Sequence, residues 1–261
     1  TAYEPQIKPN SLLTVKPGFA PPLDPGFFPY VLGSRNYLKT AGADQSCDEF
    51  HVAVERHAGL TTTFTVPCFP ESHPNFDDSC IYIERRIKFI LWQKGGYKVY
   101  ISGNKGVCDF IASTYSATGA RKFDCQLMEQ AYNQKFITCV VEAAAMPAAK
   151  ENSLDLGGNL DGNRIGFDLG GSDFKLAAIK NGEAIFTTEI PWDPYNQPDP
   201  EVHWRELNKG LKMIEEKLGG KVDAIGGSSA GVLVDNEFRI ASLFRSVSKD
   251  KFDEFCRPMM S

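Results

Sequence analysis

The chain has 261 residues, 42% hydrophobic, 23% charged and 11% aromatic, an ordinary balance for a folded protein that excludes a collagen, a disordered tail and a coiled coil. Acidic residues number 33 and basic residues 28, for a net charge of −5, so the basic footprint of a nucleic-acid binder is missing. No apolar run approaches the ~20 residues that span a bilayer, so neither nucleic acid nor membrane is an expected partner.

Residues 1–35 hold seven prolines and read as an extended, irregular arm. Phe19, Phe27, Phe28 and Tyr30 are its expected anchors. No apolar signal region is present. The chain begins at Thr1 rather than Met, so a leader or tag has room to have been removed. Residues 36–145 then read as a small α/β domain of unknown role. A hairpin is predicted at 49–57 and 60–67, where β-branched residues run from Thr61 to Val66. Residues 70–78 read as a polar loop. Ile81, Ile83, Ile87, Ile90 and Leu91 give a helix over 80–94, stopped by Gly95-Gly96. A strand at 97–101, helices at 107–115 and 121–133 and a buried strand at 136–141 complete this half. Glu84, Arg85, Arg86 and Lys88 read as a solvated helix face. Trp92 and Tyr97 are assigned to core packing, with stacking on a sugar as the rival.

Ala143–Gly162 loses all periodicity and marks the boundary, with residues 146–163 as linker. Asp-Leu-Gly-Gly occurs there at Asp155–Gly158 and again at Asp168–Gly171. Only the second copy follows a strand. Strands are predicted at 164–169, 174–179 and 184–190, the last two joined through Asn181-Gly182. Asp199-Pro200 opens a helix as N-cap and first helical residue, and Gly219-Gly220 closes it. A strand at 222–225, a Gly-Gly-Ser-Ser-Ala-Gly stretch and a strand pair within 231–244 follow.

Seven cysteines are spread without CxxC spacing or a neighbouring histidine, so no zinc site is visible. They read as reduced, buried thiols of a cytoplasmic protein, with a Cys68–Cys80 disulfide left open. His51, His57, His73 and His203 are scattered and read as surface or satisfied core groups.

The candidate chemistry lies at Asp168-Leu-Gly-Gly-Ser172-Asp-Phe-Lys175. Gly170 and Gly171 let the backbone turn tightly and bring N–H groups to an anion, and Ser172 adds a hydroxyl. Asp168 at a strand end suits Mg²⁺, held through water, because that ion takes one or two carboxylates beside phosphate oxygens. Lys175 faces either phosphate or solvent. The spacing is not that of a Walker A loop, and the bland alternative is a Gly-Gly hairpin turn with an incidental acid.

Strand–strand–strand–helix–strand is the order of an RNase H-like domain. Residues 164–245 resemble the start of an actin/hexokinase-type ATPase lobe, and within that group the ROK sugar kinases and repressors. That family's first phosphate loop reads approximately Asp-Ile-Gly-Gly-Thr, matched by Asp168–Ser172. Its Gly-x-Gly-x-Pro-Gly stretch beside the sugar is matched in frame by Gly226–Gly231, with Ala230 for Pro. Val234-Asp235 and Ala241-Ser242-Leu243 fall near two further family positions.

The resemblance implies an incomplete RNase H-like lobe at 164–261 behind the smaller α/β domain. It further implies a cytoplasmic, glucokinase-like hexose kinase using ATP and Mg²⁺. Gly170, Gly171, Ser172 and Lys175 then serve phosphate and Asp168 the metal. Gly226, Ser228, Ser229 and Gly231 form a loop on the sugar side. The family's Asn-Asp pair, which holds its catalytic base, does not occur here, nor does its zinc cluster; Asp235 reads as a turn acid instead. The catalytic base is therefore unassigned, and the chain is expected to be inactive without a missing C-terminal lobe or a second subunit. The rivals are a sugar or nucleotide sensor without catalysis and a scaffold that kept the fold.

Overall fold

The computed structural model describes residues 4–153 and 157–260. The chain divides into two compact units, Thr1–Ser153 and Leu154–Ser261. Each mixes helices with a four-stranded sheet. Asp155 and Leu156 of the first Asp-Leu-Gly-Gly copy lie outside the described residues.

The first unit opens with helix α1 (Tyr30–Ala43). Residues 30–35, expected within the extended arm, are its first turns, because Pro29 at the N-cap is the last proline and the fixed φ ends there. Strands β1 (Asp48–Glu55) and β2 (Thr61–Cys68) form the predicted hairpin, with Asp48 opposite Cys68. Helix α2 (Phe76–Lys94) starts earlier than its apolar spacing suggests, using Asp77 and Asp78 in the first turn, where carboxylates meet the positive end of the helix. Strand β3 (Lys98–Ser102), helices α3 (Lys105–Thr114) and α4 (Lys122–Tyr132) and strand β4 (Ile137–Val140) follow. The sheet order is β2-β1-β3-β4, with β4 parallel to β3 and the other pairs antiparallel.

β4 was expected to be buried. It is an edge strand, and Ile137 and Val140 stay 43% and 58% exposed. Glu84 departs the other way. It is buried and clamped by Arg121, with Nε–Oε1 at 2.5 Å and a second N–H bond at 3.1 Å, while Tyr115 donates to it at 3.2 Å. Trp92 is half-exposed rather than core; its indole N–H donates to Asp124 at 2.5 Å and its ring stacks on Phe123. All seven cysteines are free thiols, which closes the Cys68–Cys80 alternative, and burial pushes the Cys68 thiol up to about 12.

The arm is tied down at a place its aromatics did not mark. Phe19 is 94% exposed, whereas Ser11 and Leu13 are buried. Ser11 Oγ donates to Asp78 Oδ1 at 2.5 Å and the Leu12 N–H donates to Oδ2 at 3.1 Å. At the tail of the unit, Glu151 accepts from Arg56, Lys94 and Thr62, and these three donors hold its carboxyl down at about 2.

The second unit has strands β5 (Asn163–Leu169), β6 (Asp173–Lys180) and β7 (Glu183–Pro191), helix α5 (Pro200–Lys217) and strand β8 (Ala224–Ser229). Their order in the sheet is β7-β6-β5-β8. β5, β6 and β7 are antiparallel neighbours, and α5 carries the chain across to β8, which runs parallel to β5. Asp199 caps α5 as read from the sequence, its side chain accepting from the Glu201 N–H at 3.1 Å. A small hairpin, β9 (Val232–Val234) with β10 (Glu237–Ile240), and short helical turns complete the unit. One sheet face packs Ile165, Leu169, Phe174 and Leu176 with Leu207 and Ile214 of α5.

The close packing of α1 on the arm gives a stability test. A Cβ on Gly33 would overlap the Leu13 carbonyl, while one on Gly42 of the same helix meets nothing within 4 Å. Gly33→Ala is expected to cost about 1–3 kcal/mol in urea unfolding, through displacement of a packed segment. Gly42→Ala should be neutral or stabilising by up to ~1 kcal/mol. Equal effects at the two glycines would remove the arm from the folded core.

Candidate functional site

Strand alternation builds the site. Ile165 and Leu169 of β5 point to the core, so Asp168 stands on the opposite face and is exposed. Register then sets its neighbours. Asp168 lies opposite Lys175 on β6 and Ser228 on β8, and Lys175 lies opposite Glu189 on β7. Ser228, Asp168, Lys175 and Glu189 thus form one row across four strands. The Ser228 hydroxyl donates to Asp168 Oδ1 at 2.5 Å. Gly166 and Thr187 lie beside this row, and with Asp168, Lys175 and Glu189 they line an open cavity of about 560 Å³.

β5 ends in the Gly170–Ser172 turn. The Gly170 N–H donates to the Asp173 carbonyl at 3.0 Å, closing the turn. Gly170 is therefore spent on the turn itself. The Gly171 and Ser172 N–H groups have no acceptor among the described residues. A Cβ on Gly171 would lie 2.5 Å from the Tyr195 hydroxyl oxygen, so glycine is what allows that ring to approach. The turn is braced from the β7 side: Trp192 Nε1 donates to the Gly170 carbonyl at 2.8 Å, and the Trp192 N–H to the Ser172 carbonyl at 3.1 Å.

The predicted side chains divide between two tasks. Ser172 Oγ donates to Asp173 Oδ2 at 2.8 Å, and Lys175 Nζ pairs with Asp173 Oδ1 at 2.5 Å. Both engage a neighbouring carboxylate, and the Lys175 and Ser172 hydrogen bonds hold the Asp173 carboxyl below its usual range. Gly226, Ser228 and Ser229, expected in a loop, are members of β8; only Gly231 lies beyond it. Glycine pairs read as breakers, but parallel pairing to β5 carries the strand through them, and the Phe167 ring lies over Gly227. Asp235 and Asn236 form the β9–β10 turn, both with positive φ, which supports a turn role for Asp235.

Sequence reasoning passed over Trp192, Tyr195 and Arg245. The signal for the first two was a pair of aromatics set between Pro191, Pro194 and Pro200, where a loop has no need of them unless they pack. Trp192 belongs to an aromatic chain with Phe174 and His203. His203 then meets Phe244, which meets Phe238.

No group of three or more His, Cys, Asp or Glu that could hold a metal occurs among the described residues. Mg²⁺ does not need one, since one carboxylate with waters and phosphate oxygens suffices. Asp168, exposed and oriented by Ser228, fits that use through its other oxygen. No described helix is long and apolar enough to cross a membrane.

No family model and no curated protein matches this chain. Among solved structures, an exopolyphosphatase from Cytophaga hutchinsonii is similar at 12% identity and a TM-score of 0.20, covering 70% of this chain and 64% of its own. A Ppx/GppA phosphatase from Aquifex aeolicus is similar at 10% identity and a TM-score of 0.18, covering 69% and 63%. The chain spans less than two thirds of the length of these proteins, and the likeness is weak and partial.

The aromatic chain behind the turn has a pH dependence. His203 is buried, with Nε2 at 3.0 Å from the Gln197 carbonyl, and burial lowers its pKa from 6.5. The unfolded chain takes up this proton near pH 6.5 and the folded chain only at lower pH. Stability from this group is thus complete above the unfolded value and falls as pH drops below it, by at most ~1.4 kcal/mol per pH unit. Urea unfolding between pH 7.5 and 5.0 should show that loss, and His203→Phe should flatten it. An unchanged slope in the variant would exclude His203 as its source.

Proposed function

We propose that the second unit is an RNase H-like lobe that binds the phosphoryl end of ATP at the Gly170–Ser172 turn, in a ROK-type sugar kinase. One observation carries the reading: two backbone N–H groups without acceptors stand at the end of the sheet's inner strand, one turn from an oriented carboxylate. The strand order β7-β6-β5-β8, with α5 as crossover, supports the fold assignment.

The roles follow from the geometry. Gly171 and Ser172 donate to phosphate oxygens, as successive N–H groups do in anion-binding nests. Asp168 would hold Mg²⁺, and the ion would supply neutralisation of charge on the transferring phosphoryl group. Ser228 fixes the Asp168 carboxylate by its hydrogen bond and so sets which oxygen remains for the metal. Lys175 offsets the Asp173 carboxylate beside the phosphates. Gly226 keeps the floor of the groove low, while Ser228, Ser229 and Gly231 flank the sugar side. The acceptor is a sugar hydroxyl, and none of these residues is assigned the base that takes its proton. Phosphoryl transfer depends on positioning and charge, and this row of groups supplies both for the donor.

Asp168→Asn keeps the shape and removes the charge. Mg-nucleotide affinity is expected to fall by roughly 10- to 1,000-fold, or about 1.4–4 kcal/mol. Stability should shift by less than about 1 kcal/mol at this exposed position. Calorimetric titration with Mg-ATP and a melting curve on the same variant check both. A variant that melts several degrees lower yet binds Mg-ATP normally would end the assignment.

A further inference from the structure

The turn stands in an unfavourable field for an anion. Asp173 follows it directly, Asp168 precedes it by two residues and Glu189 lies in the same cross-strand row as Asp168, while the one cation of that row, Lys175, is already paired with Asp173. Two N–H dipoles do not offset three carboxylates, so a phosphate chain at this turn needs a further cation. Arg245 stands next to the turn through a single ring. Tyr195 lies against Gly171 on one hand, and on the other the Arg245 guanidinium sits over its ring, 4.0 Å from the centroid. Arg245 is exposed and has no carboxylate partner among the described residues, unlike Arg239 and Arg257 of the same segment, which pair with Glu237 and Asp253.

Its position is built. The preceding Phe244 is buried against His203 and Phe238, and the following Ser246 donates through its hydroxyl to the Tyr195 carbonyl. The backbone on both sides of Arg245 is thereby fixed to the same aromatic group that braces the turn through Trp192. A guanidinium stacked on an aromatic face keeps its N–H edge directed outward, where it matches phosphate oxygens in bidentate fashion.

We propose that Arg245, carried on Tyr195, is the cation of the phosphate turn and binds the same polyphosphate chain as the Gly171 and Ser172 amides. This rests on the reading of the turn as a phosphate site and adds to it a residue 73 positions beyond Ser172 in the chain. Arginine specifically is implied, because lysine lacks both the planar stacking and the two-pronged edge.

The test uses ¹⁵N-labelled full chain, titrated with pyrophosphate and, in parallel, with ATP. The Gly171 and Ser172 amides and the Arg245 Nε–H should shift together with one midpoint in the wild-type protein. Arg245→Ala should weaken binding at least tenfold, Arg245→Lys should recover only part of it, and Arg205→Ala, on the exposed face of α5, should change nothing. Tighter binding of ATP than of pyrophosphate assigns the anion to nucleotide, and equal midpoints assign it to the phosphate chain alone; either supports the site. Amides that shift while Arg245 Nε does not, or an alanine variant that binds as wild type, would overturn the role of Arg245 and leave the turn intact. The wild-type Nε signal decides this even where a variant fails to fold. Silence of all three resonances would overturn both readings.

Discussion

The bond from the Gly170 N–H to the Asp173 carbonyl is the constraint on which the second unit's site depends. It closes the chain between β5 and β6 in three residues, and so consumes one of the turn's three N–H groups. The other two have no acceptor among the described residues. Trp192 then takes up the Gly170 and Ser172 carbonyls. Two of the turn's carbonyls are therefore satisfied while two of its donors are not. That asymmetry leaves the turn with two N–H donors to offer, beside carboxylates that a bound anion would need a further cation to offset.

The bracing reaches further than the turn. Trp192 sits edge-on to Phe174 and His203, and His203 to Phe244. Edge-to-face aromatic contacts have a preferred geometry as well as buried area. The row Phe174–Trp192–His203–Phe244–Phe238 consequently ties a strand, a loop, a helix and the β9–β10 hairpin to one another. Arg245 and Tyr195 are held beside that row, through Phe244 and through Ser246.

The two units handle charge differently. The first buries Glu84 with Arg121 and Asp78 with Ser11, each with its hydrogen bonds made. Breaking such a pair costs several kcal/mol because the remaining charge is stranded, so these groups hold structure. In the second unit the carboxylates of Asp168, Asp173 and Glu189 stay on the uncovered sheet face. Carboxylates kept in water, as Asp168 is, remain available to a metal ion.

Much of this was legible in the sequence. Asp199-Pro200 and Asn181-Gly182 marked a helix start and a hairpin because local backbone chemistry decides both. Asp168-Leu-Gly-Gly-Ser172 marked a strand end and a turn for the same reason. What local pattern does not encode is which neighbour a side chain finds. Ser172 and Lys175 were read as facing phosphate, but Asp173, one and two residues away, takes both in the folded chain. Gly226–Ser229 looked like a loop until the pairing with β5 made it a strand. Glu84 looked solvated until Arg121, from another helix end, came to lie against it. Tyr195 and Arg245 carried no motif, since their roles arise from packing across fifty residues of chain. Sequence alone thus determined the turns, caps and periodic elements, which depend on φ/ψ preference and spacing. Tertiary structure decided register, burial and charge partners, because those depend on distances that only the folded chain creates.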